Sequence, residues 1–208
     1  MFTEKQERII NETEEFVKDF MKNYDDSHDF AHVRRVKNLA TIIAKSERMS
    51  NDDIFEIQLG ALTHDINDHK YTCDLFAQET ILEEFFESKL DKNTINNVLK
   101  IACNVSLSKE TAQEHNNIQI NCKKLHCVQD ADRIDSLGAI GLTRYFSYGM
   151  KKNNGSIVDI IKNIDMRTTI LIQHIKTNLG KQIAAEKYEI IKLFLDDYKE
   201  TYNIYVEK

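Results

Sequence analysis

His64 and Asp65 stand side by side at the end of an apolar segment, Ala61-Leu62-Thr63-His64-Asp65-Ile66. His64 follows Ile54, Ile57 and Ala61 at helical spacing, which predicts that it faces inward with them. A desolvated imidazole beside a desolvated carboxylate must be hydrogen-bonded, paired or metal-bound, because burial without compensation is costly. Two more groups meet the same description. His32 shares a helical face with Val36, Leu39, Ala40 and Ile43, and Asp132 stands on the apolar face marked by Leu125 and Val128. Inward-facing His32, His64, Asp65 and Asp132 come from three separate helices, which is how a bundle assembles a metal site in its core. Two imidazoles and two carboxylates make a mixed nitrogen and oxygen ligand set. Such a set suits manganese, iron, cobalt, nickel, magnesium or zinc and leaves positions open for water and substrate. The natural chemistry is hydrolysis at phosphorus, where a metal acidifies water and offsets charge on phosphoryl oxygens.

The elements that must hold these groups are helices. The 208 residues include no proline and only six glycines, conditions for long helices rather than turn-rich sheets. Apolar spacing predicts helices over residues 3–24, 30–47, 51–66, 75–89, 91–106 and 123–137, and two or three more over 156–208. On the last of these Ile191, Leu193, Phe194 and Tyr198 mark the expected core side. Ser50 with Asp53 resembles a capping box that opens the helix leading to His64. Residues 106–117 are polar and read as a mobile loop, with His115 on its surface. Gly138 and Gly141 would bend the chain or let two helices approach closely. No linker, repeat or low-complexity tract divides the sequence, so one all-α domain is expected over 1–208, with a metal-binding core at about 24–150 and C-terminal helices at about 156–208.

Net charge is −6 with acidic and basic residues mixed, which gives no footprint for a nucleic-acid polymer. The N-terminus lacks the apolar core of a signal peptide, and no apolar run reaches membrane-spanning length. A soluble, cytoplasmic protein is therefore expected, without a membrane partner. The four cysteines fall in no CxxC pair and read as reduced thiols, with Cys103 and Cys127 in the core. Cys122, His126 and Cys127 lie close together but lack a fourth zinc ligand. His69 and His126 read as exposed and His174 as a hydrogen-bonded core histidine. Tyr145, Phe146 and Tyr148 could line a pocket, form a dimer contact or pack the core, and the core is favoured.

With these residues in view, the chain resembles the HD-domain metal-dependent phosphohydrolases, whose hallmark is H…HD…D. His28-Asp29-Phe30-Ala31-His32-Val33-Arg34-Arg35-Val36 resembles the HDxxHxxRV opening of a compact bacterial and fungal subfamily. His64-Asp65-Ile66-Asn67-Asp68-His69-Lys70 resembles its HDxxDxK segment, and the run from Asp130 to Gly141 its DADRLDxxGAxG segment. Even Gln173-His174-Ile175 through Lys187 is similar to a shortened form of its C-terminal helices. Three ordered, extended matches are far more specific than one HD dipeptide.

The resemblance implies an all-α HD-domain bundle with His32, His64, Asp65 and Asp132 as ligands of one divalent metal. Manganese leads, with magnesium, cobalt, nickel, iron or zinc compatible. Either Asp130 or Asp132 can reach a metal after a small register change, and the family pattern favours Asp132. Asp130 and Asp135 then become supporting groups. Asp68 takes the position of an acid/base residue near the nucleophilic water, or else caps a loop turn. Arg35, Lys70, Arg133 and Arg144 are implied phosphate contacts. His28 and Asp29 brace His32, although Asp29 equally fits the N-cap of its helix. The implied substrate is a nucleotide or related phosphate ester, with nucleoside triphosphate pyrophosphohydrolase as the leading activity. Nucleotide monophosphatase or cyclic-nucleotide phosphodiesterase is the alternative, and a nucleotide-sensing module on the same scaffold is the non-enzymatic one. A homodimer is left open.

Overall fold

The computed structural model describes residues 1–23, 29–66, 77–115, 121–153 and 156–206, and all regular structure among them is helical. The chain falls into two compact units, Met1–Asp132 and Arg133–Lys208.

In the first unit, α1 (Glu4–Phe20) opens on a capping box between Thr3 and Gln6 and ends in a single 3-10 turn, Met21–Asn23. Helix α2 (Phe30–Ser46) is capped by Asp29, and α3 (Asn51–Thr63) by the expected reciprocal pair of Ser50 and Asp53. After α4 (Ala77–Phe86) and α5 (Lys92–Ala102) come α6 (Leu107–His115) and α7 (Lys123–Asp135). Helix α3 packs against α1, α2 and α5. Its residues from Ile54 to Thr63 are buried on every side, Gln58 alone being half-exposed, as expected of a helix that is packed around its whole circumference. Gly60 makes the close approach to α5 possible. A Cβ there would lie 2.5 Å from Ile101 Cγ2.

The second unit contains α8 (Gly138–Asn153), α9 (Ile157–Gln173) and α10 (Asn178–Val206), which pack against one another. Their core is Ile160, Ile161, Ile164, Ile191 and Leu195, with Tyr145, Phe146, Phe194 and Tyr198 packed on it. Gly138 opens α8 at φ 67°, a left-handed conformation that glycine adopts without steric cost.

Two expectations are corrected. The polar stretch after Ser106 is helical through His115. It contains Leu, Lys, Glu, Ala and Gln, all good helix formers, and Lys109 Nζ donates to the Cys103 carbonyl at 2.9 Å, so polarity alone misread it. Leu193 is 70% exposed and Leu195 takes the core place instead. Positions 191, 195 and 198 share one helical face, whereas 193 lies roughly 200° from 191. Among the described residues, no helix is long and apolar enough to cross a membrane. Cys103, Cys122 and Cys127 are free thiols, and burial pushes Cys103 and Cys127 up to about 12.

Candidate metal centre

The first unit brings His32, His64, Asp65 and Asp132 to one place. Helix α2 supplies His32 from its first turn, where the Asp29 carboxylate accepts from the His32 backbone N at 2.8 Å. Asp29 therefore acts on His32 through the main chain, as an N-cap. Helix α3 ends at Thr63, and the following turn presents His64 and Asp65. His64 Nδ1 lies 2.8 Å from the Ala61 carbonyl. A carbonyl can only accept, so Nδ1 carries the proton and Nε2 is left with its lone pair directed away. That is the ring orientation a metal-bound imidazole needs.

Helix α7 supplies Asp132. His32 Nε2 lies 3.4 Å from Asp132 Oδ1 and 3.4 Å from Asp65 Oδ2. His64 Nε2 lies 3.5 Å from Asp65 Oδ1 and 3.7 Å from Asp132 Oδ1. The two rings meet edge to face at 5.4 Å between centroids. One ligand atom from each of His32, His64 and Asp132 fits within 4.8 Å of the others, close enough to share an ion. His32 is 1% and His64 7% exposed, while 28% of the Asp132 side chain still reaches solvent.

Among the described residues His64 Nε2 is buried without a hydrogen-bond partner, which is expensive for a polar atom unless something else engages it. A divalent cation would do so and would neutralise the two carboxylates packed beside the rings. The residues present therefore fit a metal. The protein's own charges point the same way. Burial disfavours a charged His64, yet Asp65 and Asp132 outweigh it and hold the ring above its ordinary pKa. Burial likewise opposes ionisation of Asp132, but His32 and His64 overcome it and keep the carboxyl well below the usual range. Positive charge is demanded between these groups, and a proton or a metal can supply it.

The other expected residues are placed differently. Asp130 is fully buried on α7, and Arg35 is half-buried on α2. In the second unit Arg133 is 1% exposed and its Nη1 donates to the His174 carbonyl at 2.6 Å. Arg144 Nη1 donates to Asp135 Oδ2 at 3.0 Å. Each of these bonds uses one of the five N–H donors of a guanidinium. His174 itself is half-buried at the end of α9, where its Nδ1 lies 2.9 Å from the Ile170 carbonyl, so the expected hydrogen bond is present, at a helix end. His126 is half-buried. His28, Asp68, His69 and Lys70 lie outside the described residues, as does the side chain of His115.

Two polar contacts that sequence reasoning missed support the centre. Glu56 on α3 accepts from Asn97 Nδ2 of α5 at 3.0 Å and pairs closely with Lys124 of α7. Gln78 on α4 donates to the Thr63 and His64 carbonyls at 3.2 and 2.9 Å. Neither has a local sequence signal, since the partners are separated by 14 to 68 residues.

An HD-domain family profile matches residues 29–137, a stretch that contains all four clustered groups. The Bacillus subtilis protein YpgQ is 26% identical over 185 residues, covering 86% of this chain and 87% of that protein. The crystal structure of an HD-superfamily hydrolase from Bacillus thuringiensis matches with a TM-score of 0.73 at 26% identity, over 95% of this chain and 98% of that one. The structure of Bacillus subtilis YpgQ in complex with ADP matches with a TM-score of 0.74 at 20% identity, over 95% and 96% of the two chains.

Proposed function

This chain belongs to the HD-domain superfamily, and from that premise we propose that it is a divalent-metal-dependent phosphohydrolase acting on a nucleotide. The observation that carries this reading is the meeting of His32, His64, Asp65 and Asp132 around an imidazole nitrogen that is buried and, among the described residues, has no hydrogen-bond partner. His32, His64, Asp65 and Asp132 hold the metal, with manganese the first choice for a mixed nitrogen and oxygen set. When bound, the ion supplies Lewis acidity, which lowers the pKa of water and offsets charge on phosphoryl oxygens.

The chain's own groups do the rest. The Ala61 carbonyl fixes the His64 tautomer, and Asp29 fixes the start of α2 so that His32 enters the cluster. Asp68 takes a proton from the attacking water or gives one to the leaving oxygen. Arg35 and Lys70 bind phosphoryl oxygens. Arg133 and Arg144 are assigned to phosphate by the family pattern alone, and each donates one N–H within its own unit, to the His174 carbonyl and to Asp135. A nucleotide substrate is supported by the ADP held by YpgQ, a protein of the same fold.

The leading reaction is attack of water at the α-phosphorus of a nucleoside triphosphate, breaking its bond to the bridging oxygen and releasing pyrophosphate. The test is a panel of nucleoside triphosphates, monophosphates and cyclic nucleotides incubated with manganese, magnesium or cobalt, with phosphate and pyrophosphate measured separately. Pyrophosphate from triphosphates is the expected result. Phosphate from monophosphates, or opening of cyclic nucleotides, would replace this substrate assignment. Nucleotide binding by metal-loaded protein without turnover of any of them would refute the hydrolase.

A further inference from the structure

We infer that Gln78 is a positioning residue for the metal centre, acting through the last backbone carbonyls of α3; the inference rests on the metal-site reading above. A helix end leaves carbonyls without intrahelical partners. Here the Thr63 carbonyl accepts from Ile66 N at 3.2 Å within the closing turn, and the side chain of Gln78 reaches both it and the His64 carbonyl that follows. Gln78 Nε2 lies 2.9 Å from the His64 carbonyl and 3.2 Å from that of Thr63. An amide nitrogen carries two N–H groups, enough to donate one to each.

The His64 carbonyl belongs to the same rigid peptide plane as the Asp65 N–H. Holding that oxygen sets the rotation of the plane, and with it the direction in which the Asp65 side chain leaves the backbone. The same clamp holds His64 from behind while Ala61 holds its ring. Two adjacent ligands thus owe their direction to one side chain 14 residues further along. Gln78 is 6% exposed, so water is a poor replacement for its amide. The rest of α3 has its own ties. Gln58, for instance, donates to Thr41 Oγ1 at 3.1 Å, at a residue six positions before His64 and outside the terminal turn.

The contrast between the two glutamines makes the inference testable on the full-length chain. Gln78→Met keeps length and apolar bulk but removes the donor, and Gln58→Met does the same at the control site. Co2+ is titrated into chelator-treated protein, well below the melting temperature, with affinity from calorimetry and ligand geometry from the visible absorption bands. The expected result is about a tenfold loss of Co2+ affinity with altered bands for Gln78→Met, within the range found for groups that support metal ligands. Gln58→Met should lose stability but keep wild-type affinity and spectrum. If Gln78→Met fails to fold, Gln78→Asn, whose shorter amide cannot reach both carbonyls, is read by the same criterion. Wild-type affinity and spectrum in the folded Gln78 variant would overturn this inference and leave the metal site standing. Absence of Co2+ binding by the wild type would overturn both.

Discussion

Replacing Glu56 by Gln should loosen the join between the helix that leads into His64 and the helix that carries Asp132. Glu56 is 8% exposed on α3. One carboxylate oxygen takes the Asn97 amide of α5 at 3.0 Å, and the other pairs with the Lys124 ammonium of α7. Burial works against a charged Lys124, but Glu56 and Asp53 outweigh it and raise its pKa above the ordinary value. A hydrogen bond to a charged group contributes about 1.5–3 kcal/mol. The lower end applies here, because Lys124 is 22% exposed and keeps Asp53 at 3.3 Å. Glu56→Gln preserves shape and the acceptor for Asn97, so it should cost about 1.5 kcal/mol. Glu56→Ala also forfeits the Asn97 bond, worth about 1 kcal/mol more. The assay is urea unfolding followed by circular dichroism, with a double-mutant cycle against Lys124→Met. A coupling of about 1.5 kcal/mol is expected, since the two residues touch. A Glu56→Gln loss below about 0.3 kcal/mol with no coupling would refute the claim that this pair joins α3 to α7.

Three further outcomes follow from the same geometry. Gly60→Ala should gain about 1 kcal/mol in helix propensity but lose about 1–3 kcal/mol by overpacking, because its Cβ would meet Ile101 at 2.5 and 2.8 Å. A lowered melting temperature is therefore expected, and an increase would show that α5 yields freely. The Ser50 hydroxyl above all, and Lys124 with it, hold Asp53 below its usual pKa against the effect of burial. Its contribution is thus fully present above the unfolded value of 3.8 and lost as pH falls through the lower folded value. The stability difference between wild type and Asp53→Asn should vanish on that acid side, and a constant difference would contradict the assignment. His64 is raised above 6.5 by Asp65 and Asp132 in spite of burial, so protons should compete with metal. Apparent Mn2+ affinity should fall as pH drops through that raised value, with proton release seen by calorimetry in buffers of different ionisation enthalpy. A pH-independent affinity across that value would show that His64 does not exchange a proton for the ion.

The meeting of His32, His64 and Asp132 in one cluster was legible because each carries a local signal. His32, His64 and Asp132 are polar residues at apolar helical positions, and the spacing that puts them inward also puts them in the core. The Ser50 cap and the central burial of α3 follow from the same local rules. What supports the cluster was not legible. Gln78 and Glu56 are ordinary polar residues in sequence, and they gain meaning only when chain segments far apart in sequence meet. Arg133 and Arg144, assigned to phosphate from the family pattern, likewise gain in the fold the His174 carbonyl and Asp135 as partners that no local signal announces. Leu193 failed for a simpler reason, since three other apolar residues nearby already satisfy the inward face.

The most direct test of the central claim is elemental analysis of protein purified without chelator, comparing wild type with the His64→Ala, Asp65→Ala double variant after circular dichroism has shown that both are folded. One equivalent of divalent metal in the wild type and its loss from the variant is the predicted result. Equal metal content in the two proteins would contradict it.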